Sequence, residues 1–125
     1  MNETLNTNDT SILVSVKKHL GIPDESKDFD DNIIMDINSV FSILNDLSVG
    51  PKDSFYITGK TEKWSSLIGS YSNLELVKSY VYLKVRLIFD PPQSSAVIES
   101  MNRMISEFEW RICHTADVMN KETQS

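Results

Sequence analysis

The sequence predicts an all-α fold, a compact bundle of about five helices, with a short β-hairpin in the 53–63 loop region as the one local alternative. Three observations lead there. Apolar residues recur at three- and four-residue intervals in five separate stretches, the period of a helix with one face in a core. The stretches are divided by Gly21, Gly50-Pro51, Gly59, Gly69 and Asp90-Pro91-Pro92, where helices break readily. Several of them open on residues suited to cap a helix.

Residues 1–10 read as a flexible N-terminal arm, because a single apolar residue, Leu5, cannot offset the entropy of ordering so polar a segment. The first helix runs from about Ser11 to Leu20. Asp9 or Thr10 is placed to cap it, Ile12, Val16 and Leu20 recur at a spacing of four, and Gly21 suits the left-handed position beyond its end. The second helix runs from about Phe29 to Leu47, with Asp28 as cap and Asp30 and Asp31 in a first turn that favours anions. Ile33, Ile37, Val40, Phe41, Leu44 and Leu47 form its apolar face, and Gly50-Pro51 ends it. Phe55-Tyr56-Ile57-Thr58 has strand-like residues, which is the basis of the hairpin alternative. A short helix follows from about Glu62 to Ile68, with Trp64, Leu67 and Ile68 on its apolar edge.

The fourth helix runs from about Asn73 to Phe89 and opens on a capping box, Ser72 answered by Glu75. Its apolar residues form two adjacent rows, one of Leu74, Val77, Val81, Val85 and Ile88, the other of Leu76, Tyr80, Leu83 and Leu87. Two rows need partners on two sides, so this helix is expected at the centre. Asp90, Pro91 and Pro92 form a structural corner that sets the angle to the fifth helix, about Ser95 to Ile112. That helix carries Val97, Ile98, Met101, Met104, Ile105, Phe108 and Ile112 as a stripe, the two methionines being expected as core filler, with Glu99–Arg103 and Glu107–Arg111 as favourable pairs. Residues 113–125 read as a polar C-terminal tail, leaving 11–112 as the helical domain.

The chain is 125 residues long with a net charge of −6, and the acids are concentrated early. Residues 1–60 carry ten acids against five bases, residues 61–125 eight against seven. A DNA-binding domain shows the opposite bias, so sequence-specific nucleic-acid binding is not expected. The same acidity disfavours anionic lipid, and no stretch approaches the ~20 apolar residues of a membrane span. The single cysteine, Cys113, reads as a free thiol in a reducing compartment.

No catalytic pattern stands out. The four glycines are too scattered for a phosphate loop, and there is no Cys-x-x-Cys or His-Glu-x-x-His. Cys113-His114 has the residue types of a nucleophile and base, but neighbours on a helix point about 100° apart, so an incidental thiol beside a surface imidazole is the plainer reading. The acids Asp24, Glu25, Asp28, Asp30, Asp31 and Asp36 lack the spacing and glycine of a calcium loop and suit a solvated helix start. No cofactor and no metal are expected, and the chain is not expected to be an enzyme. Trp110, slightly off the apolar stripe between Glu109 and Arg111, is either a core-edge residue or a contact to a partner. Glu107, Trp110 and Arg111 are the candidate partner-contact residues.

Several ordered blocks carry a family resemblance. The run from Lys78 to Ser95, including Tyr80-Val81-Tyr82-Leu83-Lys84 and Asp90-Pro91-Pro92, is followed by Glu107-Phe108-Glu109-Trp110-Arg111. Earlier come Val16 to Ile22, Phe29-Asp30-Asp31, Ile37-Asn38-Ser39-Val40-Phe41 and Val49-Gly50-Pro51. Together they resemble the head–tail connector (head-completion) proteins of siphophages infecting Gram-positive bacteria, over about residues 11–112. The segments before Ser11 and after Arg111 depart from that pattern.

The resemblance implies a structural subunit, made in the host cytoplasm and located at the neck of the virion. It would form a homo-oligomeric ring, dodecameric to match the portal, that extends the DNA channel and presents a surface to the tail-completion or stopper protein. The implied partners are the portal protein, neighbouring copies and that stopper, with genomic DNA passing through unread. The alternative is a small phage regulatory or adaptor bundle that binds another protein and is absent from particles.

Overall fold

The computed structural model describes residues 10–49, 55–68 and 74–124, and the side chains of 10–49, 55–67 and 74–114. Five helices follow in order: α1 (Ile12–His19), α2 (Asp30–Asp46), α3 (Trp64–Ile68), α4 (Leu74–Phe89) and α5 (Ser95–Gln124). The expected arm up to residue 9, Gly50-Pro51, Gly69 and the Ser72 cap lie outside the described residues.

α1 starts one residue later than expected because Ser11, rather than Asp9 or Thr10, is its cap: the Ser11 hydroxyl accepts the Val14 N–H at 3.3 Å. Its C-terminus closes as a Schellman motif. Gly21 adopts φ +77°, its N–H donates to the Lys18 carbonyl at 3.1 Å, and the Ile22 N–H donates to that of Lys17 at 2.9 Å.

α2 ends the same way without a glycine. Ser48 takes φ +68°, its N–H reaches Asn45 at 3.0 Å, and the Val49 N–H reaches Leu44 at 2.9 Å. The helix therefore stops before Gly50-Pro51 is reached, with Ser48 bearing the strain of a left-handed conformation. At the other end Asp28 is not the cap. Phe29 occupies that position and has no side-chain cap bond, leaving Asp30 and Asp31 to complement the first turn.

The expected hairpin does not form: residues 55–63 contain no strand. Asn38 of α2 takes the place of a partner strand. Its Nδ2 donates to the Ile57 carbonyl at 3.0 Å and its Oδ1 accepts the Ile57 N–H at 2.8 Å, which satisfies the backbone that a second strand would have paired. The next turn closes on Glu62, whose carboxylate accepts the Thr58 N–H at 3.0 Å and the Thr58 hydroxyl at 2.9 Å. The lone β-bridge recorded among the described residues runs antiparallel between Ser11 and Lys63, tying the lead of α3 to the start of α1.

α4 packs against α1, α2 and α5, as its two apolar rows require. Val77, Tyr80, Val81 and Val85 are buried, facing Ile33, Ile37, Val40, Phe41 and Leu44 of α2 and Ile12, Leu13 and Val16 of α1 in one core. Trp64 joins that core, fully buried. Among the described residues no helix is long and apolar enough to cross a membrane.

A short turn joins α4 to α5. α4 stops at Phe89, Asp90 to Ser94 turn the chain, and the Ser94 hydroxyl caps α5 by accepting the Val97 N–H at 3.3 Å. Replacing Pro91 and Pro92 together with Ala is expected to cost about 1–2 kcal/mol through the freed unfolded chain. Thermal denaturation checks this, and an unchanged midpoint with an unchanged interhelical angle removes the role assigned to the prolines.

His19, at the end of α1, stacks on Tyr82 of α4 with ring centroids 3.7 Å apart. Partial burial, reinforced by the positive Lys18 and Lys78, holds its pKa below the ordinary 6.5. The folded state then takes up the proton less readily than the unfolded chain, so stability is full above pH 6.5 and declines as pH falls through 6.5 towards the folded value. A His19→Gln variant should lack this part of the decline; identical pH profiles for variant and parent would refute it.

Candidate partner-contact surface

α5 has an unusual attachment. Its 30 residues make a rod about 45 Å long, whereas the 16 residues of α4 span about 24 Å. Ile105 and Ile112, seven residues apart, are its buried side chains among those described, with Ile98, Met101, Phe108 and Glu109 half-buried around them. The seam is thus narrow, one row laid on α4, and most of the described circumference faces water.

The helix also outruns its expected end at Ile112 by twelve residues. The apolar pattern fades there, but a helix already nucleated propagates at little cost through good formers such as Ala116, Lys121 and Glu122. Tyr80 meets Glu109 across the α4–α5 seam. Leu74 lies six residues before the one and Thr115 six after the other, so the last turns of α5 extend past the first described turn of α4.

That meeting is a polar link across the seam. The buried Tyr80 hydroxyl donates to a Glu109 carboxylate oxygen at 2.7 Å. Burial and then the adjacent carboxylate push the phenol pKa well above its usual range, so the hydroxyl remains a donor at any pH the protein meets. Sequence reading passed over this pair. The available signal was an acid at position 109, four residues after Ile105 and three before Ile112, on the face that packs.

Of the candidate contact residues, Trp110 is 67% exposed and lies flat on His114, ring centroids 5.3 Å apart and planes within 5°. This places it off the core. Arg111 and Glu107, both exposed, form an ion pair at 2.6 Å one turn apart. The three residues share about one turn of α5 on its open side, with the Glu99–Arg103 pair further back at 3.8 Å. Met104, expected in the core, is 45% exposed instead. It borders a shallow apolar groove with Ser79, Tyr82, Leu83 and Phe108, because the single-row seam leaves no room for it inside. Met101, by contrast, is half-buried.

The chemistry weighed from the sequence disperses. His114 lies against the Trp110 ring, while the neighbouring Cys113 is half-buried, so the two do not converge on a common point. Asp30 is taken up by Lys17 at 2.8 Å and Asp24 by Lys60 at 3.4 Å. Among the described residues no group of three or more His, Cys, Asp or Glu is placed to hold a metal ion. Asp90, Pro91 and Pro92 stand at the opposite end of the α4–α5 hairpin from Trp110, as its corner.

The residue that sequence reading missed most clearly is Lys17, fully buried in α1. Its ammonium donates to the carbonyls of Asp24 at 3.1 Å and Ser26 at 2.6 Å, besides pairing with Asp30. The loop between α1 and α2 is therefore wrapped around one positive charge. The signal was a lysine one residue after Val16 and four after Leu13, on the apolar side of the helix.

A family model described as phage connector protein matches residues 12–119 of the chain. No curated protein and no solved structure matches it.

Proposed function

The chain belongs to the phage connector protein family, and from that premise we propose that it is a head–tail connector subunit of a siphophage of Gram-positive bacteria, assembled as a ring beneath the portal. The family is a structural, non-enzymatic kind of protein and a virion component. In the proposed assembly, neighbouring copies close a dodecameric ring that extends the DNA channel, and its far face receives the tail-completion or stopper protein. DNA passes through without base-specific contacts, in keeping with an excess of acids over bases.

The observation that carries this reading is α5. A subunit of a closed ring needs two different sticky faces, because its contacts are head-to-tail. A helix held by one narrow seam, with Trp110 67% exposed beside the Glu107–Arg111 pair, offers one such face. Trp and Arg are the residues that concentrate binding energy at interfaces. We assign Glu107, Trp110 and Arg111 to contact with the portal or an adjacent copy.

The test has two stages. Purified virions should contain the chain, and heads made without it should lack joined tails. A Trp110→Ala, Arg111→Ala double variant should then reduce tail-bearing particles about tenfold or more while leaving the isolated protein folded. Normal virions from the double variant would reject the assigned contact, and virions devoid of the chain would reject the connector role in favour of a non-virion adaptor.

A further inference from the structure

We propose that the apolar end of the bundle around Phe29 and Phe89 receives Trp110 and Arg111 of a second copy of this chain. The proposal rests on the ring reading above and names the surfaces that close it.

Phe29 precedes α2 and Phe89 ends α4, and their rings meet edge-on with centroids 5.6 Å apart. Phe89 is half-buried against the core, but Phe29 remains 48% exposed and Ile88, the residue before Phe89, 49%. Exposed apolar side chains gathered at one end of a small protein mark a contact site.

Its surroundings state what fits. Asp28 and Asp31 flank Phe29, and Asp90 follows Phe89; all three are exposed, and among the described residues none of them is in an ion pair. Two cations stand near it: the Arg86 Nε donates to the Asp90 backbone carbonyl at 2.7 Å, and Lys27, next to Asp28, turns its ammonium to the Asp24 carbonyl at 3.3 Å. Both cations are turned to backbone carbonyls, which leaves the three carboxylates without an ion-pair partner and calls for an occupant that is apolar or aromatic and positively charged.

This chain carries such a group. Trp110 is the most exposed of its described large apolar side chains, and Arg111 follows it directly. The Arg111–Glu107 pair is solvent-exposed on both sides, so it opposes a change of partner only weakly. One copy cannot satisfy itself. Trp110 lies fifteen residues into α5, roughly 22 Å along the rod from the corner that adjoins Phe89. The two surfaces are different and far apart, which makes the contact heterologous, the kind that propagates around a ring.

The test uses virions carrying the full chain in a Cys113→Ser background, treated with a short bismaleimide. Val97→Cys marks the corner end and His114→Cys marks the neighbourhood of Trp110, neither being one of the proposed contact residues. The variant with both cysteines is expected to give a ladder of linked multimers of this chain, and each single-cysteine variant none. In parallel, Arg111→Asp should lower tail-bearing particles about tenfold, and Asp90→Arg added to it should restore them. Like-to-like links in a single variant, links to a different virion protein, or no ladder in particles holding the normal amount of chain would each overturn the proposal while leaving the connector role intact. Absence of the chain from particles overturns the role itself, and the proposal with it.

Discussion

Lys17→Met is expected to destabilise the protein by about 3 kcal/mol, because the substitution removes one partner of a buried ion pair and leaves the other in place. The Lys17 side chain is 1% exposed, so the whole charge is paid for by three oxygens: the Asp30 carboxylate at 2.8 Å and the carbonyls of Asp24 and Ser26. Methionine fills the stem of the lysine but donates nothing. Asp30 keeps some water, at 18% exposure, which places the loss at the lower end of the range for buried pairs. For a chain of this length the midpoint should fall by on the order of 10 °C. Adding Asp30→Asn should recover part of the loss by removing the stranded charge, although the two carbonyls stay without their donor. A Lys17→Met protein as stable as the parent in urea would show that the loop is held by something else.

Trp64→Ala should cost more, about 4 kcal/mol, and Trp64→Phe about 2. Trp64 is fully buried, its Nε1 donates to the Ser15 hydroxyl at 3.0 Å, its ring meets Tyr82 edge-on at 5.9 Å, and the Lys78 ammonium lies 5.8 Å from the ring centroid. Phenylalanine keeps most of the apolar contact but leaves Ser15 without that donor, whereas alanine opens a cavity at the junction of α1, α3 and α4. Chemical denaturation gives the order directly. Equal losses for the two variants would mean that the indole N–H and the volume are not separate contributions. The second tryptophan supplies a control: in Trp64→Phe the remaining emission should be that of the exposed Trp110.

The helices were legible because each is written twice, once in apolar period and once in punctuation. The two rows of α4 announced its central place, and Pro91-Pro92 announced the corner. What the sequence hid has consistent causes. The cap of α1 moved to Ser11 because several oxygen-bearing side chains stood at its start and only tertiary placement selected among them, whereas α2 opens on Phe29 with no side-chain cap at all. Phe55 to Thr58 kept strand-like residues but no strand, since a single side chain, Asn38, supplied both backbone partners. The far end of α5 was missed because periodicity reports packing, and a helix can continue without it. Met104 was assigned inward because a stripe of apolar residues does not reveal how narrow its partner is.

The candidate surface divides in the same way. Exposed charge and aromatic side chains at Glu107, Trp110 and Arg111 could be read from their position off the stripe. Glu109 and Lys17 could not, because a charged residue on an apolar face looks like a defect until its partner is known, and those partners lie 29 residues away at Tyr80 and 13 away at Asp30.

The neighbouring Lys17 and Lys18 have a practical consequence. The first amine is sealed by its loop and the second stands in solvent. An acylating reagent should therefore mark Lys18 at once and Lys17 only in molecules that have opened, so the ratio of the two labels within one peptide serves as an internal clock for how often this domain breathes.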